Sequence, residues 1–480
     1  MLLEANRENL VTLLLCWGGL IVLLTTLMWR SRQASGLPLV YAFWLSVMHA
    51  FAAVVYTLPY YQPRSKILID ANITLASTYA GFRVATIGLA GFVVGMLLFE
   101  LLARSKPPTP VLRAPHPMIF HKLPGTMLLL GILAFFIFGP LLRGIPSVGS
   151  LRTAAVAASV VGVFLLCWMA YQRKQIHQFV FWLVAALGFP MVTIIFMGFA
   201  TFGATATITV WMMVVRFFRP RWVSLLALIA LIYVSMTFYV NWMAEREAIR
   251  SSVWNRQGLE QRFEKFSHII EEFEFFDLSS QAHLELVDLR LNQNDLVGKA
   301  VKRLGSGRID FLHGETMYLA LLAPIPRILW PGKPVVAGSG NTVSRLTGVV
   351  FAEGTSVGVG QVLEFYGNFG QTGLFISFVL FAMLLRFFDW KAAPYLQRGD
   401  YWKFTCWLLP GMALLQAGGM VSEMVGSLAT NTVFLILLHQ GVFKKYYTTD
   451  AVTQTPARTH YRDSIRSSVK PERIGRRRPS

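Results

Sequence analysis

The stretch NLVTLLLCWGGLIVLLTTLMW, residues 9–29, carries no charged side chain from end to end. Wound into a helix at about 1.5 Å per residue it rises ~30 Å, the thickness of a hydrocarbon layer. It is too long for the apolar core of a signal peptide, lacks a basic leader and is followed by no small-residue cleavage site, so it reads as a retained span. Comparable runs recur to residue 443, near 38–58, 80–103, 125–142, 153–171, 178–198, 204–217, 222–241, 371–388, 403–420 and 425–443. A hydrophobic share of 54%, against 14% charged residues, and a mean hydropathy of +0.51 exceed what a soluble core needs. The expected fold class is therefore an all-α polytopic membrane protein of about eleven transmembrane helices.

Charge then sets the expected topology. Arg30 and Arg32 follow the first run, Arg104, Lys106, Arg113 and Lys122 the third, and Arg173 and Lys174 the fifth. Arg216, Arg219 and Arg221 follow the seventh, Arg386, Lys391, Arg398 and Lys403 the ninth, and Lys444 and Lys445 the last. The turns at 199–203 and 421–424 have no Lys or Arg. By the positive-inside rule the basic connections are cytoplasmic, the N-terminus lies outside, and residues 242–370 form one large extracytoplasmic loop. This divides the chain into N-terminal helices (1–241), the loop (242–370), C-terminal helices (371–443) and a basic, apolar-poor cytoplasmic tail (444–480) expected to be disordered. The Gly/Ala/Thr-rich MGFATFGATATIT, residues 197–209, is the one place where a broken or re-entrant element could replace two spans. The net charge of +19 is absorbed by this loop asymmetry and implies no nucleic-acid partner.

The loop begins with a helical pattern: Leu259, Phe263, Phe266, Ile270 and Phe273 recur at steps of three and four. An amphipathic helix packed across the mouth of the bundle is expected, with a membrane-surface anchor or a docking surface as alternatives. Farther on, GRIDFLHGETMYLALLAPIPRILWPGKP, residues 307–334, is broken by proline and glycine, as are the residues after it. Non-helical backbone near membrane depth is tolerated where protein buries it or a watery cavity needs it. Arg308, Arg327, Lys333 and Arg345 supply cations there, which suits an anionic ligand, because guanidinium forks onto phosphate oxygens and lysine adds a point charge. Lipid headgroups, or pairing with Asp310, Glu315 and Glu353, are the competing uses of those charges. Arg83, near the start of the third run, joins them as a further cavity cation. Glu353 and Glu364 are the candidate bases for an acceptor hydroxyl, because a partly desolvated carboxylate can take a proton near neutrality. His313 is a third candidate base, while His49 reads as packing.

Other chemistries have no signature. Cys16, Cys167 and Cys406 all lie in apolar runs, where they pack rather than cross-link. No HExxH, CxxC or acidic DxD triplet suggests a metal site, and no Walker loop suggests an ATP-driven pump.

IPRILWPGKP (325–334), then GTSVGVG (354–360), then EFYGNFGQTG (364–373) leading into a span, resembles the Wzy-type polymerases of O-antigen and other bacterial oligosaccharide repeat units. The resemblance covers about residues 305–375 and the general plan of many spans with one large late loop. It implies a metal-independent glycosyltransferase without a cofactor in the bacterial inner membrane, joining glycans carried on undecaprenyl pyrophosphate at the outer face. It further implies partners in the same pathway, a flippase and a chain-length regulator. On this footing Arg327, Lys333 and Arg345, with Arg308 and Arg83, bind the pyrophosphate and steady the charge that develops as the anomeric bond breaks. Glu353 or Glu364 positions or deprotonates the acceptor hydroxyl, Tyr366 and Asn368 line the sugar path, and Trp330 stacks on a sugar face. An O-antigen ligase, in which His313 would carry more weight, and a lipid-linked glycan flippase or transporter are the alternatives.

Overall fold

A computed structural model describes residues 2–31, 33–103, 117–141, 148–218, 221–255, 258, 260–262, 264, 267, 271, 273–326, 329–330, 332–333, 339–351, 357–358 and 360–444. The chain divides into two units, residues 1–434 and 435–480. In the second, the last turns of a helix pass into a π-helical turn, His439–Phe443.

Among the described residues every regular element is helical. The first unit begins with α1 (Leu2–Arg30), α2 (Leu37–Thr57), α3 (Lys66–Asp70) and α4 (Leu75–Ala103). It continues with α5 (Pro117–Leu133), α6 (Val148–Gln172), α7 (Ile176–Ala185), α8 (Gly188–Met197), α9 (Thr201–Phe217) and α10 (Arg221–Trp254). Four shorter helices, α11 (Gln281–Leu291), α12 (Gln293–Gly305), α13 (Glu315–Leu322) and α14 (Ser339–Thr347), fall within residues 242–370, a range that α10 enters as far as Trp254. Then come α15 (Gly360–Gln397), α16 (Tyr401–Met412) and α17 (Val421–Leu438).

Among the described residues 8 helical stretches are long and apolar enough to cross a membrane, and the chain is a helical, membrane-associated protein. All 8 coincide with expected runs. The expected runs at 125–142 and 204–217 are shorter apolar helices, Lys122–Phe138 and Thr201–Phe217. The run at 403–420 is helical only through Met412 and a 3-10 turn to Leu415, because Gln416–Met420, with two glycines, turns instead.

Glycine explains how α4 comes to lie at the centre. A Cβ at Gly88, Gly91 or Gly95 would stand 2.8 Å from the Phe378 ring, 2.6 Å from the Phe375 carbonyl oxygen or 2.3 Å from that of Val379, so only hydrogen lets α15 lie this close. Gly81 continues the same stripe one heptad earlier, and there α12 takes over: a Cβ at Gly81 would sit 1.9 Å from the Asn294 carbonyl oxygen. Gly298 of α12 returns the fit, its missing Cβ standing 1.9 Å from the Ser77 carbonyl oxygen. Small residues that bring backbones together are the usual means of helix association in lipid, where apolar burial between helices contributes little.

Polar contacts sort the helix ends into two groups. At one, Arg386 is fully buried and bonds Glu100, Asp389, Gln33 and Ser31, while Arg216 and Arg221 donate to the carbonyls of Ser31 and Trp29. Asp389 Oδ1 accepts from Ser35, Gly36 and Leu37 N–H at 2.9, 2.7 and 3.1 Å, capping α2. Arg386 was expected as a loop cation; it is instead an interior group of α15 with both neighbouring carboxylates engaged. At the other end Arg7 reaches the Tyr56 carbonyl, Tyr56 and Tyr61 both donate to Asp288, and Ser77 donates to Asp295. Residues 198–199, 242–255 and 273–316 also belong to this second end, as does the 416–421 turn.

Of the expected amphipathic helix, Leu259, Phe263, Phe266 and Ile270 lie outside the described residues. Phe273 begins an extended strap rather than a helix. The strap is held on α10 by Asn241, which donates to the Glu274 carbonyl at 2.8 Å and accepts from Glu274 N–H at 2.9 Å.

Candidate functional site

The site is built on the first half of α15. Gly370, at φ 66° and ψ −164°, breaks that helix, and Gly360–Asn368 before the break is buried throughout. Burial follows from what anchors it. Gln361 donates through Nε2 to the carbonyls of Gln416 and Gly419 at 2.9 and 2.6 Å and accepts from the Tyr41 hydroxyl at 2.9 Å. One turn on, Glu364 is fully enclosed; its Oε2 accepts from Val421 N–H at 2.8 Å. Its Oε1 has no hydrogen-bond partner among the described residues. Another turn on, Asn368 donates to the Glu364 carbonyl and to the Thr316 hydroxyl, both at 2.7 Å, and accepts from Gly314 N–H at 3.0 Å.

Asn368 thereby clips residues 312–316 over α15, helped by a Leu312 N–H bond to the Gly367 carbonyl at 2.9 Å. Between those two bonds His313 is held at φ 46°, a left-handed conformation that costs a non-glycine residue about 1–2 kcal/mol. Its side chain is exposed. Beside it, Glu315 pairs with Arg345 of α14 at 2.7 Å, with both side chains about half exposed (52% and 55%). An ion pair in that setting contributes little to stability. Arg83, exposed on α4, is an electrostatic neighbour of Tyr366, which packs edge-on against Phe311 at 6.2 Å.

The structure thus brings together Glu364, Asn368, His313, Tyr366, Arg83 and Arg345. It uses Lys333 differently: the ammonium is buried and donates to the carbonyls of Ala323 and Ile325, both at 2.9 Å, closing the turn after α13. Trp330 is 39% exposed beside Leu329 at 76%, and Arg308 is exposed beyond α12. Arg327 and Glu353 lie outside the described residues. Thr316 and Gln361 were not singled out in the sequence, nor was Glu423, which faces Glu364 across the start of α17 and accepts from Met420 N–H at 3.2 Å. An acidic residue opening an apolar run was the available signal for Glu423.

A family model described as a domain of unknown function, DUF8712, matches residues 39–442. The chain belongs to that family. No curated protein and no solved structure matches it. The matched region of the DUF8712 chain takes in α15, the 312–316 clip, Arg83 and the polar seam behind them.

That seam fixes the rear of the site. His49, expected as packing, is buried in α2 and binds Asn294 twice, through Nδ1 at 2.7 Å and through its carbonyl at 2.7 Å. Asp288 accepts from Tyr56, Tyr61 and Asn292 at 2.8, 2.6 and 2.6 Å. Burial pushes the Asp288 and Asp295 carboxyls above their ordinary values; the donors around Asp288, and Lys299 beside Asp295 at 2.5 Å, pull the other way. In the DUF8712 chain this seam locks α11 and α12 to α2 and α4, giving the clip a rigid base. Chemically, the result is two exposed guanidiniums and an exposed histidine on elements that adjoin the helix carrying an enclosed carboxylate, groups that can meet an anion.

Proposed function

We propose that the protein is a polymerase of lipid-linked oligosaccharide repeat units, acting from the end of the bundle that holds the 312–316 clip, and that this end faces the outside of a bacterial inner membrane. The observation that carries this reading is the convergence of Arg83, Arg345, His313, Tyr366 and Asn368 around Glu364 on elements about 280 residues apart in sequence. That convergence supports a site for a charged carrier at the bilayer edge. Arg83 and Arg345, with Arg327 and Arg308, hold the pyrophosphate as it leaves; the acceptor hydroxyl approaches past Tyr366. Glu364 is the proton acceptor once the acceptor glycan displaces the clip, His313 the alternative one. The reaction forms one glycosidic bond and releases the carrier pyrophosphate, with the hydroxyl proton passing to the base.

The test is reconstitution into liposomes with a lipid-pyrophosphate oligosaccharide, without nucleotide or metal, alongside Arg327→Ala and Arg83→Ala. A ladder of longer lipid-linked glycans that both variants lose by tenfold or more supports the assignment. A ladder unaffected by either substitution removes the cation site. No ladder, with glycan crossing between leaflets, makes the protein a transporter.

A further inference from the structure

A second group of cations lies away from α15, where α10 emerges from its apolar run. At about 1.5 Å per residue the 34 residues of α10 exceed a hydrocarbon core by several turns. Arg246 and Arg250, four residues apart, therefore share one face of the protruding part. Tyr239, two turns before Arg246, donates its hydroxyl to the Leu286 carbonyl of α11 at 3.1 Å, and Arg290 lies one turn beyond Leu286 in the last turn of α11. That contact sets α11 beside α10, and Arg246, Arg250 and Arg290 are electrostatic neighbours.

Like charges gathered this way repel. Among the described residues none of the three guanidiniums makes a hydrogen bond or an ion pair, although Glu247 on the same helix offsets part of the charge. Arg250 lies over the rings of Trp254 at 4.1 Å and Phe199 at 5.2 Å, and Arg246 over Trp242 at 5.9 Å. Gly198, at φ 74°, turns the chain beneath Arg250 and delivers Phe199 to it. Stacking of this kind fixes a guanidinium plane while leaving its N–H edge free to meet an anion. The Arg250 Nε is buried without a partner. Trp254 beside Arg250, and Phe273 and Phe275 on the strap that Asn241 holds to α10, are exposed by 55, 43 and 69%, aromatic residues of the sort found at headgroup level.

We propose that Arg246, Arg250 and Arg290 form a phosphate site for a membrane lipid, with the headgroup phosphate between the guanidiniums and the acyl chains along the apolar face of α10. The site lies on α10, α11 and the 198–199 turn, and so does not share its residues with the α15 site. Its ligand is a phosphate mono- or diester in the bilayer plane, from either an ordinary phospholipid or a polyprenyl carrier.

Native mass spectrometry of the full chain released from nanodiscs tests this. Phosphatidylglycerol nanodiscs, and separately nanodiscs doped with undecaprenyl phosphate, are compared for wild type, Arg246→Gln/Arg290→Gln and Arg246→Lys/Arg290→Lys. Retained phosphatidylglycerol that the Gln pair weakens roughly tenfold and the Lys pair partly restores supports the site and assigns it to bilayer lipid. The same pattern with the polyprenyl lipid alone supports the site and assigns it to the carrier. Equal retention by wild type and the Gln pair, or no retained lipid at all, overturns the proposal. If the double variant fails to fold, Arg290→Gln alone, changing only an exposed side chain, gives the same comparison. Glycan polymerisation is not read in this assay, so its outcome is independent of the polymerase assignment.

Discussion

Asn368 shows how much a single amide can organise. Its side chain makes three hydrogen bonds, two of them to the 312–316 segment. Asn368→Ala leaves Gly314 N–H and the Thr316 hydroxyl without that partner, at about 1–3 kcal/mol. We expect a melting temperature lower by several degrees in detergent and a polymer yield that falls at least tenfold, checked by thermal shift and by the liposome assay. The stretch containing Glu364, Tyr366 and Asn368 could be picked out from the sequence because polar residues are rare beside a span. What could not be read there was whether a charge is already in use. Lys333 and Arg386 look like free cations along the chain, yet the first is committed to two carbonyls and the second to two carboxylates.

Among the elements, the fit of α12 against α4 makes the sharpest demand. With each missing Cβ 1.9 Å from a carbonyl oxygen, Gly81→Val or Gly298→Val cannot be accommodated by a side-chain shift, and α12 must leave α4. Faster hydrogen exchange across residues 293–305, with the remaining helices still protected, is the expected result. A second prediction concerns α11. Partial burial works to raise the Glu285 carboxyl, but bonds from Gln281 and from Arg64 and Ser65 N–H outweigh it and hold the group below its ordinary value of 4.5. A lowered folded value means a stabilising contribution present above pH 4.5 and lost as pH falls through the folded value. Thermal melts of wild type and Glu285→Gln should therefore differ at pH 7 and converge in acid. The long helices were legible because lipid imposes a length on apolar runs. α11 falls in the stretch expected to be helical through residue 290, but α12 was not anticipated, since Asn292, Asn294 and Asp295 read as loop until the partners that bury them are known. The glycines of α4 were visible but uninformative, because spacing alone does not say what approaches them.

Across the whole molecule, the Arg386 group holds one end together, linking α1 and α2 through Ser31, Gln33 and Asp389, and α4 through Glu100. Arg386→Met would leave the enclosed Asp389 and the partly exposed Glu100 without their cation, at a cost of about 3–5 kcal/mol. The expected readout is a large fall in melting temperature with reduced yield of folded protein, and a normal melt would refute the role. The alternating basic connections did not reveal that one of their own members had been drawn inside as a structural tie.

The mutual glycine fit also has a consequence for how the protein is made. Gly81 leaves the ribosome more than 200 residues ahead of Gly298. Until α12 arrives, the front of α4 is an open groove with Thr78 and Ser77 waiting for Asn292 and Asp295. A nascent chain stalled before residue 293 is expected to leave that groove open and His49 without Asn294, so the early helices should stay sensitive to protease until the late segment is made.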